Sequence, residues 1–242
     1  VIRDPYVMLG LFISVVFVFF LISKMPQSKA DGEMPDIIDT FKVLTSNKKY
    51  TLGVFAQILY VGGQIMCWTY IYQYAEAIDI DSVTAGYYQM TAFIIFTIGR
   101  AIGTYLLRFM SSGKMLMYFA LFAAFFALGT IFIQGIIGLY CLVGISFFMS
   151  AMFPTIYGIA LNDLSEEQSK VGSAGLVMAI VGGALMPKLQ GMIIDTGGNG
   201  VADLQIFGVY EVNFSFILPF ICFLYISWYG LFVFKKYESI NV

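Results

Sequence analysis

Gln57, Tyr60, Gln64, Trp68 and Tyr72 step along the chain by three or four residues, so on a helix they share one face. Two amides on one face of an apolar run do not belong against lipid, where an amide without a partner costs several kcal/mol. The face is therefore expected to look at protein or at a wet cavity. Its chemistry suits a neutral polyol: amides exchange hydrogen bonds with hydroxyls, and an indole one turn away offers a flat apolar plate to a C–H face. Gln64 and Trp68 are the candidate pair. The same side chains also suit interhelical packing, with Tyr72 as an anchor at a membrane interface. Spacing alone leaves both readings open.

Other residues could join such a site. Tyr87, followed by Tyr88 and Gln89, opens another apolar run and is placed to line a vestibule, although tyrosines near helix ends also serve as interface anchors. Phe153 and Tyr157 lie one turn apart beside Pro154, whose missing N–H frees a backbone carbonyl. Two cations, Arg100 and Lys188, fall inside apolar runs and are candidates for gating or coupling. Arg100 has Arg108 and Lys114 just beyond it, and is expected to snorkel or to clip a gate against a helix terminus. Lys188 lies about 26 Å along its run from Val171 at 1.5 Å per residue. It can snorkel to the nearer surface, with Asp195 on its own face, or act in gating or cation coupling.

What is absent is equally informative. There is no histidine, and every Asp and Glu falls in a loop or at a helix end, so no buried carboxylate is expected. Cys67, Cys141 and Cys222 sit inside apolar runs and read as buried free thiols without metal spacing. Asp163, Glu166 and Glu167 read as a solvated turn, not a metal site. Gly182-Gly183 is not a phosphate loop, because no strand precedes it and no Lys-Ser/Thr follows; with Gly172 and Gly175 it forms a small-residue face for close helix approach. No enzyme chemistry, metal or cofactor is expected.

The elements that carry these residues are membrane helices. The chain is 60% hydrophobic and only 12% charged, about half the charge of a soluble domain, and its net charge of −2 gives no reason to expect a nucleic-acid partner. Seven apolar segments are expected to be long enough to cross a bilayer, which takes about 20 helical residues: Tyr6–Ile22, Tyr50–Tyr74, Thr84–Leu107, Met115–Ile133, Ile136–Leu161, Val171–Ile194 and Asn213–Phe234. Ser23–Lys49 is polar and reads as a linker between one lone span and six closely spaced ones. If that linker is cytoplasmic, the same side holds Lys24, Lys29, Lys42, Lys48, Lys49, Arg108, Lys114, Lys170, Lys235 and Lys236. The opposite side holds Arg3 and mainly acids, in keeping with the positive-inside rule. The C-terminus is then cytoplasmic. The first run lacks a basic leader and a small-residue cleavage site, so it is not read as a signal peptide. The opening Val-Ile-Arg-Asp-Pro suggests a piece that begins inside a longer protein.

Several stretches resemble the L-fucose–proton symporter family of the major facilitator superfamily, which includes glucose/galactose transporters. They are Tyr60-Val-Gly-Gly-Gln-Ile-Met-Cys-Trp-Thr-Tyr, Ile98-Gly-Arg-Ala-Ile-Gly-Thr, Met149-Ser-Ala-Met-Phe-Pro-Thr-Ile-Tyr and Gly172-Ser-Ala-Gly-Leu-Val-Met-Ala-Ile-Val-Gly-Gly. The resemblance covers nearly the whole chain. It implies an all-α membrane protein: residues 1–22 as the last helix of an N-terminal bundle, 23–49 as a cytoplasmic inter-bundle linker, and 50–242 as a C-terminal six-helix bundle. It further implies a neutral sugar of the fucose, glucose or galactose class bound near the midplane, a coupling proton or sodium ion, and bundles that rock to alternate access. The expected location is a bacterial inner membrane, with the lipid bilayer and the N-terminal helices as partners, and those helices are expected to hold the coupling carboxylates. The matched Gly-Gln-x-x-x-Trp element tips Gln64 and Trp68 toward the sugar, with Tyr72, Tyr87, Phe153 and Tyr157 around it. In the family the position of Phe153 can be tyrosine; phenylalanine stacks but donates no hydrogen bond. A non-transporting membrane assembly module is the alternative from a different class.

Overall fold

The computed structural model describes residues 3–23, 37–198 and 200–238. The chain divides into two compact units, Val1–Pro35 and Asp36–Val242. The first contributes one apolar helix, α1 (Arg3–Ile22). The second is built from α2 (Ile37–Ser46), α3 (Lys48–Thr69), α4 (Ile71–Glu76), α5 (Ser82–Leu106), α6 (Ser112–Phe132), α7 (Ile136–Met149), α8 (Met152–Leu161), α9 (Glu166–Met178), α10 (Gly182–Ile194), α11 (Glu211–Ser215) and α12 (Ile217–Val233). A two-residue hairpin, β1 (Gln205–Ile206) with β2 (Val209–Tyr210), closes the loop after α10.

Each of the seven apolar segments lies in helix, and four consist of two helices joined by a break. Among the described residues, five of the seven expected spans are long and apolar enough to cross a membrane: Lys48–Glu76, Ser112–Phe132, Ile136–Leu161, Glu166–Gly197 and Glu211–Glu238. Tyr6–Ile22 is apolar but shorter. The 25-residue α5 is long but carries threonines along its length. Three of them, Thr91, Thr97 and Thr104, donate to the carbonyls of Tyr87, Phe93 and Arg100 four residues earlier, at 2.8–2.9 Å. Their hydroxyls are thus satisfied within the helix, as an apolar surrounding demands.

Residues 24–36 of the expected linker lie outside the described residues. Of the rest, Ile37–Ser46 forms α2, whose Leu44 is buried with Tyr50, Ala160 and Leu176, while Lys48 and Lys49 open α3. Capping follows local chemistry. Asn47 accepts from the N–H groups of Lys49 and Tyr50 at the start of α3, and Ser165 and Gln168 close a capping box on α9. Asp81 caps α5; the Thr84 hydroxyl, with the N–H groups of Thr84 and Val83, holds its carboxyl below the usual range.

Packing between α3 and the α9–α10 pair depends on glycine. A Cβ on Gly175 would strike the Tyr50 hydroxyl, and one on Gly182 would strike the Ile58 backbone carbonyl. One on Gly183 would lie 3.1 Å from Val61 and Ile65, and one on Gly62 would collide with Met186. The small-residue face is thus a seam on which α3 and α9–α10 nearly touch backbones, so dispersion and close packing hold them where a bilayer offers little hydrophobic drive. A similar approach joins α6 to α12, where a Cβ on Gly230 would meet the Met117 nitrogen at 2.6 Å.

Gly182→Ala is expected to lower stability by about 1–3 kcal/mol, the cost of overpacking a contact that cannot yield. Gly158→Ala, where an added Cβ meets nothing within 4 Å, is expected to cause no loss. Thermal unfolding of the two variants in detergent compares them directly.

Candidate functional site

The site grows from one interruption. Helix α7 ends at Met149 and α8 begins at Met152, with Pro154 in the first turn of α8, where its missing N–H is tolerated. Proline cannot donate to Ser150 four residues back, and the freed Ser150 carbonyl accepts from Arg100 Nε at 3.1 Å. The neighbouring Met149 carbonyl accepts from the buried Tyr60 hydroxyl at 3.0 Å. Arg100 thus clips a helix end, with its guanidinium also over the Phe96 ring. The glycines beside it let α5 come close enough: a Cβ on Gly99 would strike the Phe147 carbonyl, and one on Gly103 would lie 2.6 Å from the Ala151 Cβ. The Gly-Arg-x-x-Gly element is therefore a close approach plus a carbonyl clamp.

Trp68 is fixed by the same three helices. Its Nε1 donates to the buried Ser146 hydroxyl of α7 at 3.2 Å, and its ring stands edge-on to Phe93 and Phe96 of α5 at 4.9 and 5.1 Å. Ser146 carried no signal in the sequence beyond being a hydroxyl in an apolar run. Gln64 sits one turn before Trp68 and is half-buried, so its amide keeps some access. In α8 the rings of Phe153 and Tyr157 stack at 6.4 Å and 13°, and Phe153 also meets Tyr60 at 6.0 Å. Gln64, Trp68, Phe153 and Tyr157 are therefore carried by elements that pack on one another.

The remaining candidates lie further out. Tyr72 is 43% exposed and belongs to α4, beyond the break at Tyr70, with its hydroxyl 3.4 Å from where a Cβ on Gly86 of α5 would stand. Tyr87 is exposed on α5. Lys188 is exposed on α10, and no ion pair joins it to Asp195 among the described residues. Tyr70, at the break, donates to the Pro187 carbonyl of α10 at 2.7 Å.

One expectation is corrected. Glu211, at the start of α11, is fully buried, although a helix-end acid reads as solvated. The loop before it folds over it, and its two carboxylate oxygens accept from the N–H groups of Asp203 and Leu204. Next to it, Asn213 donates to the Tyr74 hydroxyl and the Thr130 carbonyl, tying α11 to α4 and α6. At the opposite end the buried Lys49 pairs with Asp163 at 2.9 Å. A cavity of about 420 Å³ there is lined by Lys49, Asn162, Asp163, Tyr237 and Glu238, away from the Gln64–Trp68 face. Among the described residues no group of three His, Cys, Asp or Glu could hold a metal. The arrangement is equipped for hydrogen bonding and stacking.

No family model matches the chain. It is 50% identical to the L-fucose-proton symporter of Haemophilus influenzae over 233 residues, 95% of this chain and 52% of that protein. It is 29% identical to the L-fucose-proton symporter of Escherichia coli over 245 residues, 98% of this chain and 52% of that protein. With the glucose/galactose transporter of Brucella abortus it shares 29% over 234 residues, 95% of this chain and 53% of that protein. A crystal structure of the E. coli fucose:proton symporter superposes with a TM-score of 0.80 at 28% identity, covering 96% of this chain and 55% of that one. A crystal structure of this major facilitator superfamily transporter in the outward conformation matches equally, with 54% of that chain covered. The chain spans about half the length of the curated relatives it matches, and the fold is that of the corresponding half of a major facilitator superfamily transporter.

Tyr60→Phe leaves the Met149 carbonyl without its donor and is expected to cost about 1–3 kcal/mol. Tyr157→Phe, whose hydroxyl has no protein partner among the described residues, is expected to change stability by less than about 0.5 kcal/mol. Chemical denaturation followed by tryptophan fluorescence measures both.

Proposed function

We propose that this chain is the C-terminal part of a sugar–cation symporter of the L-fucose–proton symporter family in the major facilitator superfamily. The observation that carries this reading is the 50% identity over 233 residues to a protein named as an L-fucose-proton symporter. In this reading residues 1–22 are the last helix of the N-terminal bundle, 23–49 the inter-bundle linker, and 50–242 the C-terminal bundle. The whole protein sits in a bacterial inner membrane with the C-terminus cytoplasmic.

The geometry supports a division of roles. The Gln64 amide exchanges hydrogen bonds with sugar hydroxyls, while Trp68, held by Ser146, Phe93 and Phe96, presents its face to the C–H side of the ring. Phe153 and Tyr157 add a second aromatic wall with one free hydroxyl. Tyr72 and Tyr87 line the outer approach. Arg100 holds the α7–α8 break in place as a gate element, and Lys188 stays solvated at the outer surface. Coupling rests with the N-terminal helices, since Glu211 is the one fully buried carboxylate among the described residues and both its oxygens are engaged at a helix end. The L-fucose reading is preferred over a glucose or galactose carrier because the 50% identical relative is a fucose symporter, against 29% for the glucose/galactose transporter. The coupling ion is then a proton.

Gln64→Ala and Trp68→Ala in the complete transporter are each expected to weaken L-fucose binding about five- to 150-fold, the loss of about 1–3 kcal/mol. Titration calorimetry on purified variants checks this. Unchanged affinity in both, with normal membrane expression, would assign the pair to packing.

Orientation is tested separately with an impermeant maleimide on intact cells, after Cys67, Cys141 and Cys222 are replaced by serine. Phe207→Cys, at an exposed loop position, is expected to label from outside, and Glu167→Cys is expected not to. The reverse pattern would invert the topology.

A further inference from the structure

Helix α5 carries the Gly-Arg-x-x-Gly clamp, but much of its surface is not used for that. Its buried positions are Ala85, Ala92, Gly99 and Gly103. On the remaining surface Met90, Phe93, Thr97, Arg100 and Thr104 step by three or four residues and form one exposed stripe. A guanidinium with two threonines suits a wet cavity better than lipid, and α5 is not among the five stretches apolar enough to cross a membrane. The stripe joins the candidate sugar plate at Phe93, whose ring meets Trp68 edge-on at 4.9 Å.

The upper part of the stripe, away from Arg100, is apolar and slightly hollow. A shallow depression of about 310 Å³ there is lined by Met90, Phe93, Ile94, Thr97 and Ile98. These residues occupy the middle of α5, the depth at which carriers of this architecture bind substrate. Thr97 spends its hydroxyl hydrogen on the Phe93 carbonyl, 2.9 Å away, and the other four side chains carry no N–H or O–H. The lining therefore offers a ligand no hydrogen-bond donor. A hydroxyl lodged there gives up water for little in return, whereas a methyl group sheds water favourably.

We propose that Met90, Phe93 and Thr97 form an apolar wall beside Trp68 that takes the C6 methyl of a 6-deoxyhexose and sets a preference for it over sugars with a hydroxyl at C6. The inference rests on the sugar-carrier reading and names the part of the sugar that this half distinguishes. L-fucose is 6-deoxy-L-galactose, so the two sugars differ by that one hydroxyl, and the ratio of their affinities reports on the wall. Gln64 and Trp68 meet groups that both sugars share, so changes there move both affinities together. An enclosed apolar site discriminates against an added hydroxyl by about 100-fold, and a wall open on one side is expected to give about tenfold.

The test uses the complete purified transporter, with affinities for L-fucose and L-galactose measured by titration calorimetry on the same preparation, so that a loss of folded material cancels from their ratio. Met90→Gln, which keeps the length and adds a donor and an acceptor, is expected to lower the preference for L-fucose about tenfold. Thr97→Val, which keeps the shape and replaces the hydroxyl by a methyl, is expected to raise it about threefold. Met90→Thr serves if Met90→Gln does not express. A preference within about twofold of the parent in the Met90 variant, or a shift of both variants in the same direction, overturns the wall. If Gln64→Ala still weakens binding of both sugars in that case, the carrier reading stands. If the parent binds neither sugar, or no variant alters either affinity, the carrier reading falls together with the wall.

Discussion

Inside a bilayer a carbonyl freed by proline has no water to turn to, and the Ser150 carbonyl takes its hydrogen bond from a neighbouring helix. That requirement organises the middle of the bundle. Because Arg100 and Tyr60 must both reach the break between α7 and α8, α5 and α3 are drawn against it from separate positions in the chain. Gly99 and Gly103 are what permit the approach on the α5 side. Once those helices are docked, Ser146 lies within reach of Trp68, and Phe93 and Phe96 lie against its ring. The orientation of the candidate sugar plate is thus a consequence of satisfying a helix break.

Glycine supplies the complementary constraint. Contact between α3 and α9–α10 involves backbone atoms of Ile58 and the hydroxyl of Tyr50, so it cannot be relaxed by a rotamer change alone. A seam of that kind holds one side of α3 rigidly. On another side α3 meets α8 through the Tyr60–Phe153 rings and through Gly53, where a Cβ would lie 2.9 Å from the Ala160 Cβ. If α8 moves relative to α7, the break at Ser150–Ala151 is where it can pivot.

Much of this was legible in the residue pattern because its causes are local. The apolar runs, the proline that frees a carbonyl and the glycine face all follow from neighbours within a few positions. What escaped depends on distant contacts. Leu44 made α2 a packed helix inside an expected polar linker because Tyr50, Ala160 and Leu176 form a pocket that sequence does not display. Glu211 is buried because a loop eight residues earlier folds onto its carboxylate. Tyr72 left the Gln64–Trp68 helix because α3 stops at Thr69, where no proline or glycine announces a break. The site was therefore readable as a face but not as a set of partners, and Ser146 was invisible.

The placement of ionisable groups bears on how the whole carrier must work. Lys49, Asp163 and Glu238 gather at one end of the bundle and Glu211 at the other, each engaged by an ion pair or by backbone N–H groups. Between them the described helices offer amides, hydroxyls, thiols, aromatic rings, Arg100 and the exposed Lys188, and no fully buried carboxylate. In the proposed carrier, a bundle so constituted senses a coupling proton through sugar and through the facing bundle. Protonation elsewhere has to change what the shared cavity offers the substrate, and the response here is the movement of helices already poised at their breaks. Coupling in the proposed carrier is then a property of the interface between halves, to which this chain brings the candidate sugar-binding face.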